Sequence, residues 1–401
     1  MGRWLFPIFM LVVLLGGAAW VISLVYFSAP IPEVVFEVKG RQIVQLEFAP
    51  DGQKVAVVTN ELKPPDASKD QATRIYRASD GKPLHTLNMA AWRCDWSADG
   101  ALLAVSAVNG KEFDIYDTTK WELKKHLTLT PPRKRADLKD KSATDNKTDK
   151  KDQAATKEKA DKKDEGDPSE NSPLEAIPGI VQALQFTRQG SLFVVSYAED
   201  TDSSYQLDHA KAWWDPLHSS DEAQSLGSCG GVWDIGAASS SLDAMLAVSY
   251  GTPCPPEILS LSARGKLIFV QGKVEIKNLP HPLVAPRLRL TPDGNYLIAR
   301  DENYVDVITF SSAGSKLVAS INAPTKGVKG LMIHWKELEL SRDGRFAAYE
   351  SDPYVRVIHI PDGKQVLEVV SKPCAFALAP DGSQLAVANS DRHTISLYHV
   401  R

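Results

Sequence analysis

After one long apolar stretch near its start, the chain carries its apolar residues in short runs separated by turn residues, the pattern of strands. One phrase recurs within that pattern. It is an apolar or aromatic residue, a small residue, a tight turn usually closed by Gly, then a burst of apolar residues. It reads Phe48-Ala49-Pro50-Asp51-Gly52, Trp96-Ser97-Ala98-Asp99-Gly100 and Phe186-Thr187-Arg188-Gln189-Gly190, then a degenerate copy over Ala237 to Asp243. It returns as Leu290-Thr291-Pro292-Asp293-Gly294, Leu340-Ser341-Arg342-Asp343-Gly344 and Leu378-Ala379-Pro380-Asp381-Gly382. A period of roughly 40–50 residues points to small sheets repeated around an axis.

Each copy predicts four strands. The first has Ile43–Phe48, Lys54–Thr59, Arg74–Arg77 and Pro83–Leu87, and the fifth and sixth copies divide in the same way. The last copy runs through Gln384–Asn389 and Thr394–Val400, then stops one strand short. Val34–Val38 is a strand-like run with no repeat of its own. It is expected to complete the last sheet and so remove an open edge, which would be a template for aggregation. The fourth copy has two further strand-like runs, Leu267–Val270 and Val274–Ile276, and its regularity is open at this point.

The phrase Ala379-Pro380-Asp381-Gly382-Ser383-Gln384-Leu385-Ala386-Val387-Ala388-Asn389 resembles the YVTN-type β-propellers, as does Val57-Val58-Thr59-Asn60. The strand-end pairs Trp214-Asp215 and Tyr116-Asp117 resemble those of WD repeats, while the Gly-His pair of that family is absent. The resemblance covers about residues 34–401. It implies an all-β fold, a β-propeller of four-stranded antiparallel blades, and the seven copies of the turn phrase imply that it is seven-bladed. Function does not follow from it, since propellers host unrelated activities.

Trp4 to Phe27 carry no charge. About 24 residues at 1.5 Å each make a helix of about 36 Å, enough for a hydrocarbon core of about 30 Å. The expectation is a single-pass anchor within residues 1–30, with the propeller over 31–401. The rival is a cleaved signal peptide with its processing site near Ala18 and Ala19. The apolar run continues past the usual core of about 7–15 residues, which favours the anchor. Arg3 suggests a cytoplasmic N-terminus and an extracytoplasmic propeller.

Residues 131–173 change composition. Arg133-Lys134-Arg135 opens a run in which acids and bases nearly balance and large apolar residues are almost missing. Such a segment cannot bury enough surface to offset its ordering entropy, so it is expected to be disordered. In propellers it would hang over the face that carries the links between blades. The formal net charge of −4 argues against a nucleic-acid partner.

Four cysteines are present. Cys94 and Cys374 fall in first-strand positions suited to buried thiols. Cys229 and Cys254 flank the fourth hairpin and could form a disulfide outside the cytoplasm, or remain free.

No catalytic constellation emerges. The histidines are scattered, and neither a phosphate loop nor a nucleophile elbow is present. Asp208, His209, Asp215 and His218 match no metal or triad spacing. Asp51, Asp99, Asp293, Asp343 and Asp381 are turn residues, one per blade. Neither a cofactor nor a metal is expected. The leading expectation is a non-enzymatic scaffold that takes a protein or peptide at its loop face. Trp92, Arg93, His281, His334, Trp335, Asp391, Arg392 and His393 are its candidate contacts. The alternative is a lactonase-like or metal-dependent hydrolase propeller. Its chemistry would rest on Glu47, Asp95, Asp234 and Glu339, inner-strand acids from different blades.

Overall fold

The structure is a computed structural model. It describes residues 30–38, 42–60, 72–87, 89–107, 110, 112–128, 181–187, 190–198, 207–213, 216–218, 224–226, 232–239, 244–250, 256–264, 267–277, 279–281, 283, 286–301, 303–311, 313–324, 338–371, 375–389 and 391–400. The expected anchor at 4–27, the insertion at 131–173, Trp214-Asp215, Cys229, Cys254, His334, Trp335 and Cys374 lie outside the described residues. Among the described residues there is no helix, and hence none long and apolar enough to cross a membrane.

The described strands form seven four-stranded antiparallel sheets. Sheet 1 holds Gln42–Phe48, Lys54–Asn60, Ala72–Arg77 and Pro83–Leu87; sheet 2 holds Ala91–Trp96, Leu102–Ala107, Glu112–Asp117 and Glu122–Thr128. Sheet 3 holds Val181–Phe186, Leu192–Ala198, Leu207–Trp213 and Gln224–Leu226; sheet 4 holds Val232–Ser239, Ala244–Tyr250, Glu257–Arg264 and Leu267–Glu275. Sheet 5 holds Arg287–Leu290, Tyr296–Arg300, Tyr304–Ser311 and Gly314–Asn322; sheet 6 holds Leu338–Leu340, Phe346–Ser351, Tyr354–His359 and Lys364–Val370. Sheet 7 holds Phe376–Leu378, Gln384–Asn389 and Thr394–His399, and its outer strand is Val34–Glu37. Sheet 4 is therefore regular. Its two late apolar runs join into one strand, with a bulge opposite Ser260 and Leu261.

The repeated phrase is the hairpin between the first and second strands. Gly52, Gly100, Gly294, Gly344 and Gly382 all have φ near +70°, a region that L side chains avoid. The turn carboxylates close these hairpins locally. Asp99 accepts from the Ser97 hydroxyl at 2.6 Å and the Ala101 amide at 3.0 Å, and Asp381 accepts from both the hydroxyl, at 2.6 Å, and the amide, at 2.9 Å, of Ser383. Those bonds hold both carboxyls below the usual aspartate range, with the serine hydroxyl as the largest contributor to each.

First strands touch in the order of sheets 1 to 7, and the first strand of sheet 7 touches that of sheet 1. Apolar side chains pack between successive sheets, with Phe48, Trp96, Phe113, Phe193 and Phe376 among the largest buried ones. Val34–Glu37 pairs with Thr394–His399 in register Val34↔Leu397 to Glu37↔Thr394. Two backbone bonds extend the pairing, Glu33 N–H to Leu397 carbonyl at 2.7 Å and Val38 N–H to His393 carbonyl at 2.8 Å. Phe36 is the buried residue of this short strand and lies 5.2 Å from the Tyr76 ring of sheet 1.

Candidate functional site

The polar residues that draw together lie on the first strands, one residue before the hairpin. Register makes Glu47 (opposite Ala56), Asp95 (Ala104), Gln185 (Phe193), Arg289 (Ile298), Glu339 (Ala348) and Ala377 (Ala386) equivalent. First strands line the axis, so these residues form one level of it. Each polar member keeps partial exposure although it sits deep among the sheets. The hairpin residue Arg342 joins them from sheet 6.

Several of these groups bind protein atoms of other sheets. Asp95 accepts a short hydrogen bond from the Phe186 amide of sheet 3. Arg342 Nη2 donates to the Trp96 carbonyl at 3.1 Å, from sheet 6 to sheet 2. Beside the ring, buried Gln45 donates to the Cys94 carbonyl at 3.0 Å and accepts from the Cys94 amide at 2.7 Å, which ties sheet 1 to sheet 2. Arg300, fully buried, donates to the Glu350 carbonyl at 2.9 Å, between sheets 5 and 6.

The electrostatics follow from burial. Burial pushes the Glu47 carboxyl well above its ordinary range, Glu339 and Asp95 push it further, and Arg342 and Arg289 oppose them. Burial pushes Asp95 up to about 6, against Arg342, the Phe186 and Trp96 amides and Arg289. Burial, with Glu47 and Asp95, also raises the thiol of Cys94, which is free and buried. This thiol is consequently a packing group with little thiolate character. The cluster can hold a proton near neutral pH. Among the described residues, no group of three or more His, Cys, Asp or Glu is placed to hold a metal ion.

Folded Glu47 and Asp95 bind protons more tightly than the unfolded chain does. For Asp95 this contribution to stability is greatest below about pH 4 and is lost as pH rises through about 6; for Glu47 it is lost only as pH rises well above the usual glutamate range. Glu47→Gln is expected to raise the melting temperature at pH 7.5 relative to wild type. That advantage should shrink toward pH 4, as read by thermal melts across this range.

The six loop-face candidates among the described residues lie in three separate places. Trp92 and Arg93, expected on a link, lie inside the strand Ala91–Trp96, and Trp92 is only 5% exposed in the core shared by sheets 1 to 3. A bulge between Ala91 and Cys94 extends the strand backward and carries Trp92 inward. Arg93 is half-buried, its amide bonded to Ser106 Oγ at 2.9 Å. His281 stacks on Tyr304 with ring centroids 3.8 Å apart and lies 2.9 Å from Asp306 Oδ2, so it packs beneath its own link. Asp391, Arg392 and His393 are exposed on the turn between the second and third strands of sheet 7. His393 has φ +52°, and its carbonyl receives Val38. Asp234 lies in the first strand of sheet 4, opposite Ser249. Arg289 and Arg342 were missed. A signal existed for each: Arg289 takes the repeat position of Glu47, and Arg342 stands where three other copies have Pro50, Pro292 and Pro380.

No family model matches the sequence, and no curated protein matches it. Solved structures do match. The chain is similar to the β-propeller domain of Cps50 (Swd1) from Myceliophteria thermophila, with TM-score 0.57 and 11% identity over 92% of this chain and 100% of that one. It is also similar to hydrazine synthase of Kuenenia stuttgartiensis, with TM-score 0.56 and 11% identity over 91% of this chain and 97% of the other. At such identity the likeness speaks of fold alone. Together with the seven antiparallel sheets, it identifies the chain as an all-β protein of the β-propeller fold.

Proposed function

We propose that this chain is a seven-bladed β-propeller, closed by Val34–Glu37, that works as a protein or peptide interaction scaffold without catalysis. Residues 4–27 would tether it to a membrane with the N-terminus cytoplasmic and the propeller extracytoplasmic, and 131–173 would be a disordered insertion on the link face. The observation that carries the scaffold reading is the engagement of the axial groups. Asp95 is bound to the Phe186 amide and Arg342 to the Trp96 carbonyl, so the axis serves as a fastening between sheets. The exposed turn at Asp391–His393 is the kind of rim on which propellers of this plan can recruit partners.

A photo-cross-linker at Arg392 in intact membranes is the test. The scaffold reading expects a discrete adduct with another protein, absent when the probe stands at Lys54 on the hairpin face. No adduct from Arg392 or neighbouring link-face positions would contradict it.

A second reading, a lactonase-like or metal-dependent hydrolase, draws support from Asp95 beside Glu47, since a carboxyl pushed up to about 6 suits proton transfer. Esterase or lactonase turnover with added divalent metal, abolished by Asp95→Asn in a protein that still folds, would establish this reading against the scaffold.

A further inference from the structure

We propose that the hairpin-side rim of sheets 7, 1 and 2, carrying Ile31, Val35, Leu84 and Leu123, rests on the lipid surface. In that pose the link face points away from the membrane. The inference rests on the anchor reading for residues 4–27.

Large apolar side chains exposed among the described residues are Ile31, Val35, Leu84, Leu123, Val318 and Val370. Four of these six lie on three successive sheets, on one side of the ring. Ile31 is 84% exposed and Val35 55%, at the start of the outer strand of sheet 7. Leu84 and Leu123 are each the second residue of an outer strand, in sheets 1 and 2. Sheet 7 abuts sheet 1 through Phe36, which packs on Tyr76 and fills the space where Gly81 would carry a Cβ. Sheet 1 abuts sheet 2 through His85, stacked on Trp121 at 4.8 Å. The rim is therefore continuous.

Register places all four residues at the same end. In sheet 1, Lys54 faces Arg77 and Tyr76 faces Pro83. In sheet 2, Leu102 faces Asp117, which faces Glu122. In sheet 7, Gln384 faces His399 and Val34 faces Leu397. Each is the hairpin end of its sheet. Val370 closes its strand at the opposite end, in sheet 6.

The point where the chain enters the rim makes lipid its occupant. Ile31 lies four residues beyond Phe27, and an extended chain covers at most about 14 Å over that length. A headgroup layer is roughly 6 Å deep on each side of the hydrocarbon. A span ending near Phe27 thus keeps Ile31 no more than about 8 Å beyond the headgroup layer, close enough for it and its neighbours to meet the membrane surface. Exposed Leu, Ile and Val beside a Trp suit that layer. Charges on this rim are mixed: Lys82 and Arg77 pair with Asp80, Lys124 pairs with Asp117, and Glu33 and Glu122 are exposed. The contact is accordingly apolar, insensitive to anionic lipid and to salt.

The test uses the full chain reconstituted in phosphatidylcholine vesicles. A small fluorophore is placed by nonsense suppression at position 84, 123 or 370, and vesicle flotation is measured alongside. The expected result is quenching by nitroxide-labelled lipid that is roughly twofold or more stronger at 84 and 123 than at 370, as for side chains about 5–10 Å into the interface. Aqueous iodide should show the reverse order, and adding phosphatidylserine should change neither. If the chain floats but all three positions quench alike, the rim contact is overturned and the anchor stands. Shielding of 84 and 123 from both quenchers would mean that protein, such as a second copy, covers the rim, and would also overturn the proposal. A chain that does not float overturns both readings.

Discussion

Phe36→Ala is expected to lower stability by about 3–4 kcal/mol, the range for truncating a well-packed buried aromatic. Phe36 belongs to a core built from both ends of the propeller, with Val55, Val57 and Tyr76 of sheet 1 and Ala386, Ile395 and Leu397 of sheet 7. The strand it anchors has only four residues, and Phe36 is the buried one. Losing its side chain therefore loosens the strand as well as opening a cavity. Once the strand lifts, Thr394–His399 becomes an open edge. Denaturant melts should show the midpoint falling, with faster amide exchange at Val38, whose N–H binds the His393 carbonyl. Val35→Ala, at an exposed site on the same strand, is the control and should stay within about 0.5 kcal/mol of wild type. Equal behaviour of the two variants would remove the latch role from Phe36.

Arg342→Ala should cost a similar amount, about 2–4 kcal/mol at pH 8, for a different reason. Arg342 is a cation set against Glu47 and Asp95, and it also donates to the Trp96 carbonyl. Without it, Glu47 and Asp95 must either ionise with Arg289 as the remaining opposing cation or stay protonated, and a polar bond is lost. At pH 5 Asp95, pushed up to about 6 in the folded protein, already carries its proton. The cost there should shrink toward that of the hydrogen bond alone. Urea melts of wild type and variant at both pH values give the comparison. Asp95→Asn added to Arg342→Ala should recover part of the loss at pH 8 and little at pH 5. A loss independent of pH would mean that Arg342 acts only through packing and its bond to Trp96.

The hairpin phrase was legible because its chemistry is local. A positive-φ Gly and a self-bonding Asp or Ser act within a few residues, so Pro50-Asp51-Gly52 and its copies mark sheet positions wherever they stand. The four strands of sheet 1 follow the apolar runs almost to the residue. Val34–Glu37 was legible as a strand lacking a repeat of its own, and it pairs with the last strand. Trp92 was not legible as core, because the bulge that turns it inward depends on how the strand meets Leu102–Ala107. The axial cluster was half legible. Four acids stood out on inner strands, but Arg342 acts from a hairpin of sheet 6 on the Trp96 carbonyl of sheet 2, a relation that only contact in space creates. His281 is a link residue, as expected, but its partners Tyr304 and Asp306 lie on the third strand of sheet 5, more than twenty positions on, so its packing was not legible.

The plainest test of the closed ring joins its two ends. Val35 and Ser396 face each other between bonded pairs, where Cα atoms approach to about 4.5 Å, within disulfide range. Val35→Cys with Ser396→Cys, oxidised and mapped by mass spectrometry, should give one link between these residues within a single chain and a higher melting temperature. No link, or a link only between two chains, would contradict a propeller that its first strand closes.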